Sequence, residues 1–234
     1  MHFEVIASSS KGNCYTIDDG RTKLMIDPGI PIKKIKEALN FQLSDIRACL
    51  ASHVHADHIM AARDIMKAGI DVYASSETLE AAKLFGHRAH AIKAMHQIRI
   101  GTWLIKPFPL KHDVPCVGFL LNSCLTNEIA IYACDTQFVR HRFKGSAHIL
   151  AIECNYDMDV LKQNVRSGTI DIGLAKKIIQ NHMSLQTVLD FLKTNDMAKV
   201  QKIHLLHLST RNADAALFKK EIQALCGRPV YIGG

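Results

Sequence analysis

The stretch "SHVHADH", residues 52–58, places His53, His55, Asp57 and His58 in an H-x-H-x-D-H pattern. The apolar run "IRACLA" precedes it and the helix-like run "IMAARDIMKAG" follows. A buried strand must therefore turn into a helix while carrying three imidazoles and a carboxylate. In extended backbone, residues i and i+2 face the same way, so His53 and His55 can grip one ion. Asp57 and His58 are adjacent at the helix start and point elsewhere, which suits a second ion a few ångströms away. Imidazole nitrogen and carboxylate oxygen both bind zinc and similar cations well. With this chain's own histidine and aspartate frequencies, chance produces the pattern on the order of once in several hundred such chains.

The rest of the chain reads as strands and helices in a regular order. "HFEVIAS", "CYTIDD" and "TKLMIDPG" are strands, followed by a short helix at "IKKIKEAL". "IMAARDIMKAG" is a helix stopped by Gly69, "IDVYAS" a strand, and "SETLEAAKLFG" a helix ended by Gly86. The middle is strand-rich: "HQIRI", "WLIKPFPL", "VGFLLNS", "EIAIYACD" and "HILAIECN". Helices are expected at about 158–166, 171–180 and 184–195. The strand "VQKIHLLHLS", the helix "ADAALFKKEIQAL" and the strand "PVYIG" close the chain. No linker, repeat or break in composition interrupts the 234 residues, so one domain over 1–234 is expected. Strands dominate each half with helices after them, which points to an α/β protein built as an αββα sandwich of two mixed sheets.

H-x-H-x-D-H after a buried strand resembles the metallo-β-lactamase superfamily, whose fold is that sandwich. The resemblance extends from "SSSKGN" to "HLSTRN". It implies that the remaining ligands stand at strand ends in the order His, Asp, His. His112, Asp135 and His207 occupy those places. By resemblance, His53, His55 and His112 hold one metal, Asp57, His58 and His207 the other, and Asp135 bridges them. The cofactors expected are two divalent metal ions, zinc or manganese, since mixed nitrogen and oxygen ligation admits both. His2, His87, His90, His96, His141, His148 and His204 have no such support and are read as structural or solvated.

Within the superfamily, "LLHLSTRN", "ECNYD" (153–157) and "NHMS" (181–184) resemble elements of ribonuclease Z and of YycJ-like bacterial exonucleases. The resemblance pairs Glu153 with His182 for proton handling. A carboxylate on one imidazole nitrogen orients the ring and raises its basicity, and the other nitrogen can then donate to a leaving oxygen. Asp57, Glu153 and His182 are thus the catalytic candidates. "SSSKGN" and "IDPGIPIKKIKEAL" also resemble the YycJ-like branch, and a Ser/Gly loop there can act as an anion nest with Lys11 adding charge. "FVRHRFKG" at 138–145 is basic and carries aromatics. Lys11, Arg140, Arg142 and Arg211 are the candidate substrate contacts, with Lys144 beside them and Phe138 or Phe143 to stack on bases. A solvated loop explains "FVRHRFKG" equally well.

Other bulk properties narrow the function. A net charge of +7 favours an acidic partner such as nucleic acid. Seven widely spaced cysteines without C-x-x-C read as free thiols in a reducing, cytoplasmic setting, which argues against a zinc ribbon. Neither a secretion signal nor a membrane-length apolar run is evident. Lacking an inserted β-CASP domain and a long arm for docking transfer RNA, the chain is read as a nuclease acting on DNA more than RNA. The expected reaction is phosphodiester hydrolysis, exonucleolytic by resemblance, by a hydroxide that the metal pair activates. Two alternatives stand: a phosphodiesterase for small molecules or cyclic nucleotides, and a nucleic-acid-binding protein with a non-catalytic metal site.

Overall fold

The period-two patterning of the strand-like runs builds two sheets in a computed structural model that describes residues 1–143 and 147–233. The first sheet has the order β1 (His2–Ser9), β2 (Gly12–Asp18), β3 (Lys23–Ile26), β4 (Ile46–Leu50), β5 (Asp71–Ser75) and β6 (Ala89–Ile92). Its first three strands are antiparallel, and β3 through β6 run parallel. The second sheet holds β7 (Ile98–Ile100), β8 (Trp103–Leu110), β9 (Cys116–Ser123), β10 (Ile129–Ala133), β11 (Ala147–Glu153), β12 (Lys202–Leu206) and β13 (Val230–Ile232). There β10 to β13 are parallel, while β7, β8 and β9 are antiparallel to their neighbours.

Alternation along each strand sorts side chains between layers. Leu24 and Ile26 of β3 face the second sheet in a core shared with Trp103, Phe119, Tyr132 and Leu206, while Met25 turns outward. That outer face packs under α1 (Ile32–Ala38), α2 (Ala56–Ile59), α3 (Ala62–Lys67) and α4 (Ser76–Ala81), through Ile35, Ile65 and Leu79. On the far side, Leu150, Ile152, Ile203 and Leu205 pack against Val188 of α7 (Leu185–Thr194) and Phe218 of α8 (Ala215–Cys226). Helices α5 (Met158–Arg166) and α6 (Ile172–Asn181) share a smaller cluster around Leu161 and Ile170. The result is the αββα sandwich. Asp157, Asp171, Ser184 and Asp214 cap α5 to α8 by accepting from backbone N–H groups of the first turn.

Two local readings of the sequence are corrected. The segment 89–92 was not read as a strand, yet it forms the edge strand β6, where His90 stacks on Tyr73 at 4.7 Å. The run after the histidine motif is two short helices rather than one. Ala61 N–H donates to the Pro28 carbonyl instead of continuing the helical ladder, and the Asp57 carbonyl accepts from Asn13. The intruding loop requires Gly29, because a Cβ there would lie 1.7 Å from the Asp57 carbonyl oxygen. All seven cysteines are free thiols. No helix among the described residues is long and apolar enough to cross a membrane.

Candidate metal centre

The candidate site lies where strands run out. Asp27 follows β3, His53 to His58 follow β4, Asp135 follows β10, and His207 follows β12. Asp27, Asp135 and His207 all have left-handed backbone, with φ of 52°, 53° and 54°. Such a conformation costs a non-glycine residue about 1 kcal/mol or more. Three instances at converging strand ends mark a place where side-chain direction outweighs backbone comfort.

The structure brings the seven predicted ligands together. One group comprises His53, His55, His112 and Asp135, and a second comprises Asp57, His58, Asp135 and His207, each with donor atoms within 4.8 Å of one another. A cation with four ligand bonds of 2.0–2.2 Å sets its donors about 3.4 Å apart. In the first group, His55 Nδ1 lies 3.2 Å from His112 Nε2, and Asp135 Oδ2 lies 3.7 Å from His53 Nε2 and 3.9 Å from His112 Nε2. In the second, His58 Nε2 lies 3.5 Å from Asp57 Oδ2 and 3.3 Å from Asp135 Oδ1, while His207 Nε2 lies 3.4 Å from Asp57 Oδ2. The buried Nε2 atoms of His53 and His207 have no hydrogen-bond partner. Donor type, spacing and these orphaned nitrogens all fit divalent cations.

Four of the five rings, those of His53, His58, His112 and His207, have their other nitrogen met by a hydrogen-bonding group. Asp27, fully buried, accepts from His58 Nδ1 at 2.7 Å, Ser52 Oγ at 2.8 Å, Tyr132 Oη at 2.5 Å and the Ser52 N–H at 2.7 Å. Ser52 Oγ is in turn 3.0 Å from His53 Nδ1. One carboxylate thus orients His58 directly and His53 through a serine. Asn13 Nδ2 reaches the Asp57 carbonyl at 3.2 Å and lies 3.0 Å from His58 Nε2. His112 Nδ1 faces the Asn181 carbonyl at 3.3 Å. Glu153 Oε1 sits 2.6 Å from His182 Nδ1 and 3.2 Å from His207 Nδ1, and its Oε2 accepts from the N–H groups of Thr136 and Met183. The His182 ring stacks on His207 with centroids 5.2 Å apart.

The charges polarise one another. Burial works to raise the Asp135 pKa, but His207 and His58 hold it well below the usual carboxylate range. Burial also opposes a proton on His207, yet Asp135, Asp57 and Glu153 lift its pKa to about 10. His58 is likewise raised, against burial, by Asp135 and Asp27. His53 is driven down by burial and by His58. On His182 burial again disfavours the proton, and Glu153 more than offsets it.

The substrate-contact candidates divide. Arg211 is exposed and lines a cavity of about 340 Å³ that also contains His182 and His207. Lys11 is exposed at the β1–β2 turn, beside Ser10 of that cavity. Arg140 lines a separate shallow groove with Pro109, Lys111 and Phe138, and Arg142 is exposed on the same loop. That loop is anchored next to His112, where Gln137 N–H donates to the Lys111 carbonyl. Lys144 lies outside the described residues. Sequence reasoning missed Asp27, Ser52, Tyr132, Asn13 and Asn155. All five stand in stretches quoted above, "SSSKGN", "IDPG", "SHVHADH", "EIAIYACD" and "ECNYD". Asn155 Nδ2 donates to the His207 carbonyl at 2.7 Å, and a polar residue at the end of an apolar strand was the available signal for Asp27 and Ser52.

Residues 10–118 match the family model of the metallo-beta-lactamase superfamily. The exodeoxyribonuclease WalJ of Streptococcus pneumoniae is 27% identical over 226 residues, covering 90% of this chain and 82% of that protein. The exodeoxyribonuclease YycJ of Bacillus anthracis is 26% identical over 227 residues, with 91% and 84% covered. Among solved structures, the metallo-beta-lactamase fold protein YhfI from Bacillus subtilis superposes with a TM-score of 0.74 at 18% identity, covering 98% of this chain and 95% of that one. The matched first half contains the histidine motif, and the shared architecture runs through the second half, where Asp135 and His207 stand. The chain is thus similar to the metallo-β-lactamase superfamily over residues 10–118 and to two bacterial exodeoxyribonucleases over nine-tenths of its length, which supports a metal-dependent hydrolase.

Proposed function

We propose that this hydrolase is a nuclease that cleaves phosphodiester bonds in DNA, acting in the cytoplasm as one domain over residues 1–234. The observation that carries the reading is the sharing of Asp135 by two donor groups, with the Glu153–His182 pair directly alongside. His53, His55 and His112 would hold one divalent cation and Asp57, His58 and His207 a second, and Asp135 turns one oxygen toward each donor group. When bound, zinc or manganese ions there supply Lewis acidity and lower the pKa of water toward about 7.

The chain's own residues do the rest. Asp27 and Ser52 fix which nitrogen of His58 and His53 faces the centre. Glu153 holds the Nδ1 hydrogen of His182, so Nε2 is the atom that passes a proton to the departing oxygen. Hydrolysis adds water across the phosphorus–oxygen bond: the water oxygen joins phosphorus after giving its proton to solvent, the bond to the leaving oxygen breaks, and that oxygen takes a proton from His182, which regains one from solvent. Arg211 and Lys11 supply positive charge at the cavity beside His182.

DNA is favoured by the two bacterial relatives, both named exodeoxyribonucleases. Seven free thiols, five of them buried, suit a reducing compartment. The test combines metal analysis with labelled single- and double-stranded DNA, RNA, a cyclic nucleotide and a chromogenic phosphodiester. Metal-dependent release of nucleotides from DNA supports the reading. Cleavage of the cyclic nucleotide or the chromogenic ester alone favours a small-molecule phosphodiesterase. Nucleic-acid binding without hydrolysis of any of them leaves a binding protein with a non-catalytic metal site.

A further inference from the structure

The cavity that holds His182 and His207 has two chemically opposed walls. One is aliphatic. Leu174, Ile178 and His182 follow one another at four-residue spacing along α6 and its C-cap, so they share one face of the helix. The two aliphatic side chains therefore form a stripe that ends on the proton-handling histidine, each step about 6 Å along the axis. Ile170, just before the helix cap, extends the stripe at its far end. Leu174 is 50% exposed, unusual for a leucine that lines a concavity beside a cluster of charged groups.

The opposite wall is polar and cationic. Ser10, Ser209, Thr210 and Arg211 line it. Its backbone is rigidly held: Ser209 N–H donates to the Asn155 carbonyl, Asn164 Nδ2 donates to the Arg211 carbonyl, and Asn212 N–H donates to Ser209 Oγ. Arg211, exposed on this held loop, thus lines the same groove as the aliphatic stripe.

We infer that this groove is the subsite for the leaving-side nucleoside of a DNA strand, its base and sugar packed on Leu174 and Ile178 and its next phosphate met by Arg211, Ser209 and Thr210. The inference rests on the nuclease reading and deepens it. His182 marks the leaving side, because it protonates the oxygen that departs. An apolar stripe suits the face of a base and the carbon side of a sugar, while a guanidinium and two hydroxyls suit a phosphate. A cyclic nucleotide has no further phosphate beyond its leaving oxygen, so it leaves Arg211 without a counterpart. A strand with at least one more phosphate uses both walls.

The experiment compares wild-type and Leu174→Asp enzyme, both loaded with metal, on two oligodeoxynucleotides. One is ordinary and the other has an abasic residue on the leaving side of the scissile bond. The wild type should lose about tenfold in kcat/KM when that base is removed, with KM carrying most of the change. Leu174→Asp should cut the ordinary strand about tenfold less efficiently and be nearly indifferent to the missing base. Ile172→Asp, on the same helix but outside the groove and 61% exposed, should behave as wild type. Retained circular dichroism and metal content show that the Leu174 variant is folded and loaded. Equal sensitivity to the abasic residue in wild type and Leu174→Asp, with DNA still cut, overturns this inference and leaves the nuclease reading intact. No cleavage of DNA by loaded wild type sinks both.

Discussion

The two donor groups proposed to hold the cations, both of which include Asp135, are braced very differently. His58 and His207 are fully buried, and their outer nitrogens meet the carboxylates Asp27 and Glu153. In the other group, His53 is buried and reaches Asp27 only through Ser52, His112 leans on a backbone carbonyl, and the side chain of His55 is 37% exposed. A carboxylate behind an imidazole fixes its orientation and raises its basicity as a ligand more than a neutral carbonyl does. The lesson is that one centre combines a rigid, strongly basic half with a softer half open to solvent.

The largest effect should come from the residue common to both halves. Asp135→Ala removes the oxygen facing each group at once. Both metal equivalents should be lost, and hydrolysis should fall by about a thousandfold or more. Elemental analysis after gel filtration reads this directly. Retention of one full equivalent would show that the halves are independent and that Asp135 is no bridge.

Next comes the brace of the rigid half. Asp27→Ala leaves His58 Nδ1, the Ser52 hydroxyl and the Tyr132 hydroxyl buried without their acceptor. Unsatisfied buried groups cost about 1–3 kcal/mol each, so urea unfolding should report a loss of roughly 3 kcal/mol or more. Metal affinity should drop about 10–100-fold. An Asp27 variant with unchanged affinity would mean that orientation by this carboxylate is not what makes the rigid half rigid. His55→Ala probes the softer half and should do less: one equivalent of metal lost, one kept, and stability changed by about 0.5 kcal/mol at most.

The sequence made the candidate ligands legible and left the bracing obscure, for a physical reason. His53, His55, Asp57 and His58 sit within one turn, so local spacing alone brings them together. His112, Asp135 and His207 were found through the family resemblance, which expects the remaining ligands at strand ends; Asp135 and His207 follow the parallel strands β10 and β12, whereas His112 follows the antiparallel β8. Asp27 ends a strand in the same way, but a polar residue before Pro-Gly is also an ordinary turn, and only its four buried donors distinguish it. The strand β6 was missed because "AHAI" is short and mixed, and its place is set by pairing with β5 rather than by its own pattern. The break between α2 and α3 was invisible for a similar cause, since the intruding partner at Pro28 is over thirty residues away.

The smallest effect isolates what the carboxylates do, using two histidines three residues apart on and just after β12. His207 meets carboxylates and its pKa rises to about 10, whereas His204 has none and its pKa falls to about 4, driven down by burial and then by Lys202 and His2. His204 lies between Phe3 at 5.0 Å and Tyr231 at 5.2 Å, with a buried Nε2 that has no partner. Its folded pKa lies below the unfolded value of about 6.5, so the unfolded chain binds more protons between pH 6.5 and 4. Stability therefore falls as pH drops through that window, by on the order of 2–3 kcal/mol in all, and this contribution is flat above it. His204→Phe keeps an aromatic ring between Phe3 and Tyr231 and removes the titration. Urea unfolding at pH 7 and pH 4.5 should show the variant within about 1 kcal/mol of wild type at the first and more stable by roughly 2 kcal/mol at the second. Equal acid loss in both proteins would mean that His204 finds a counter-charge or water when protonated, and that burial alone does not separate it from His207.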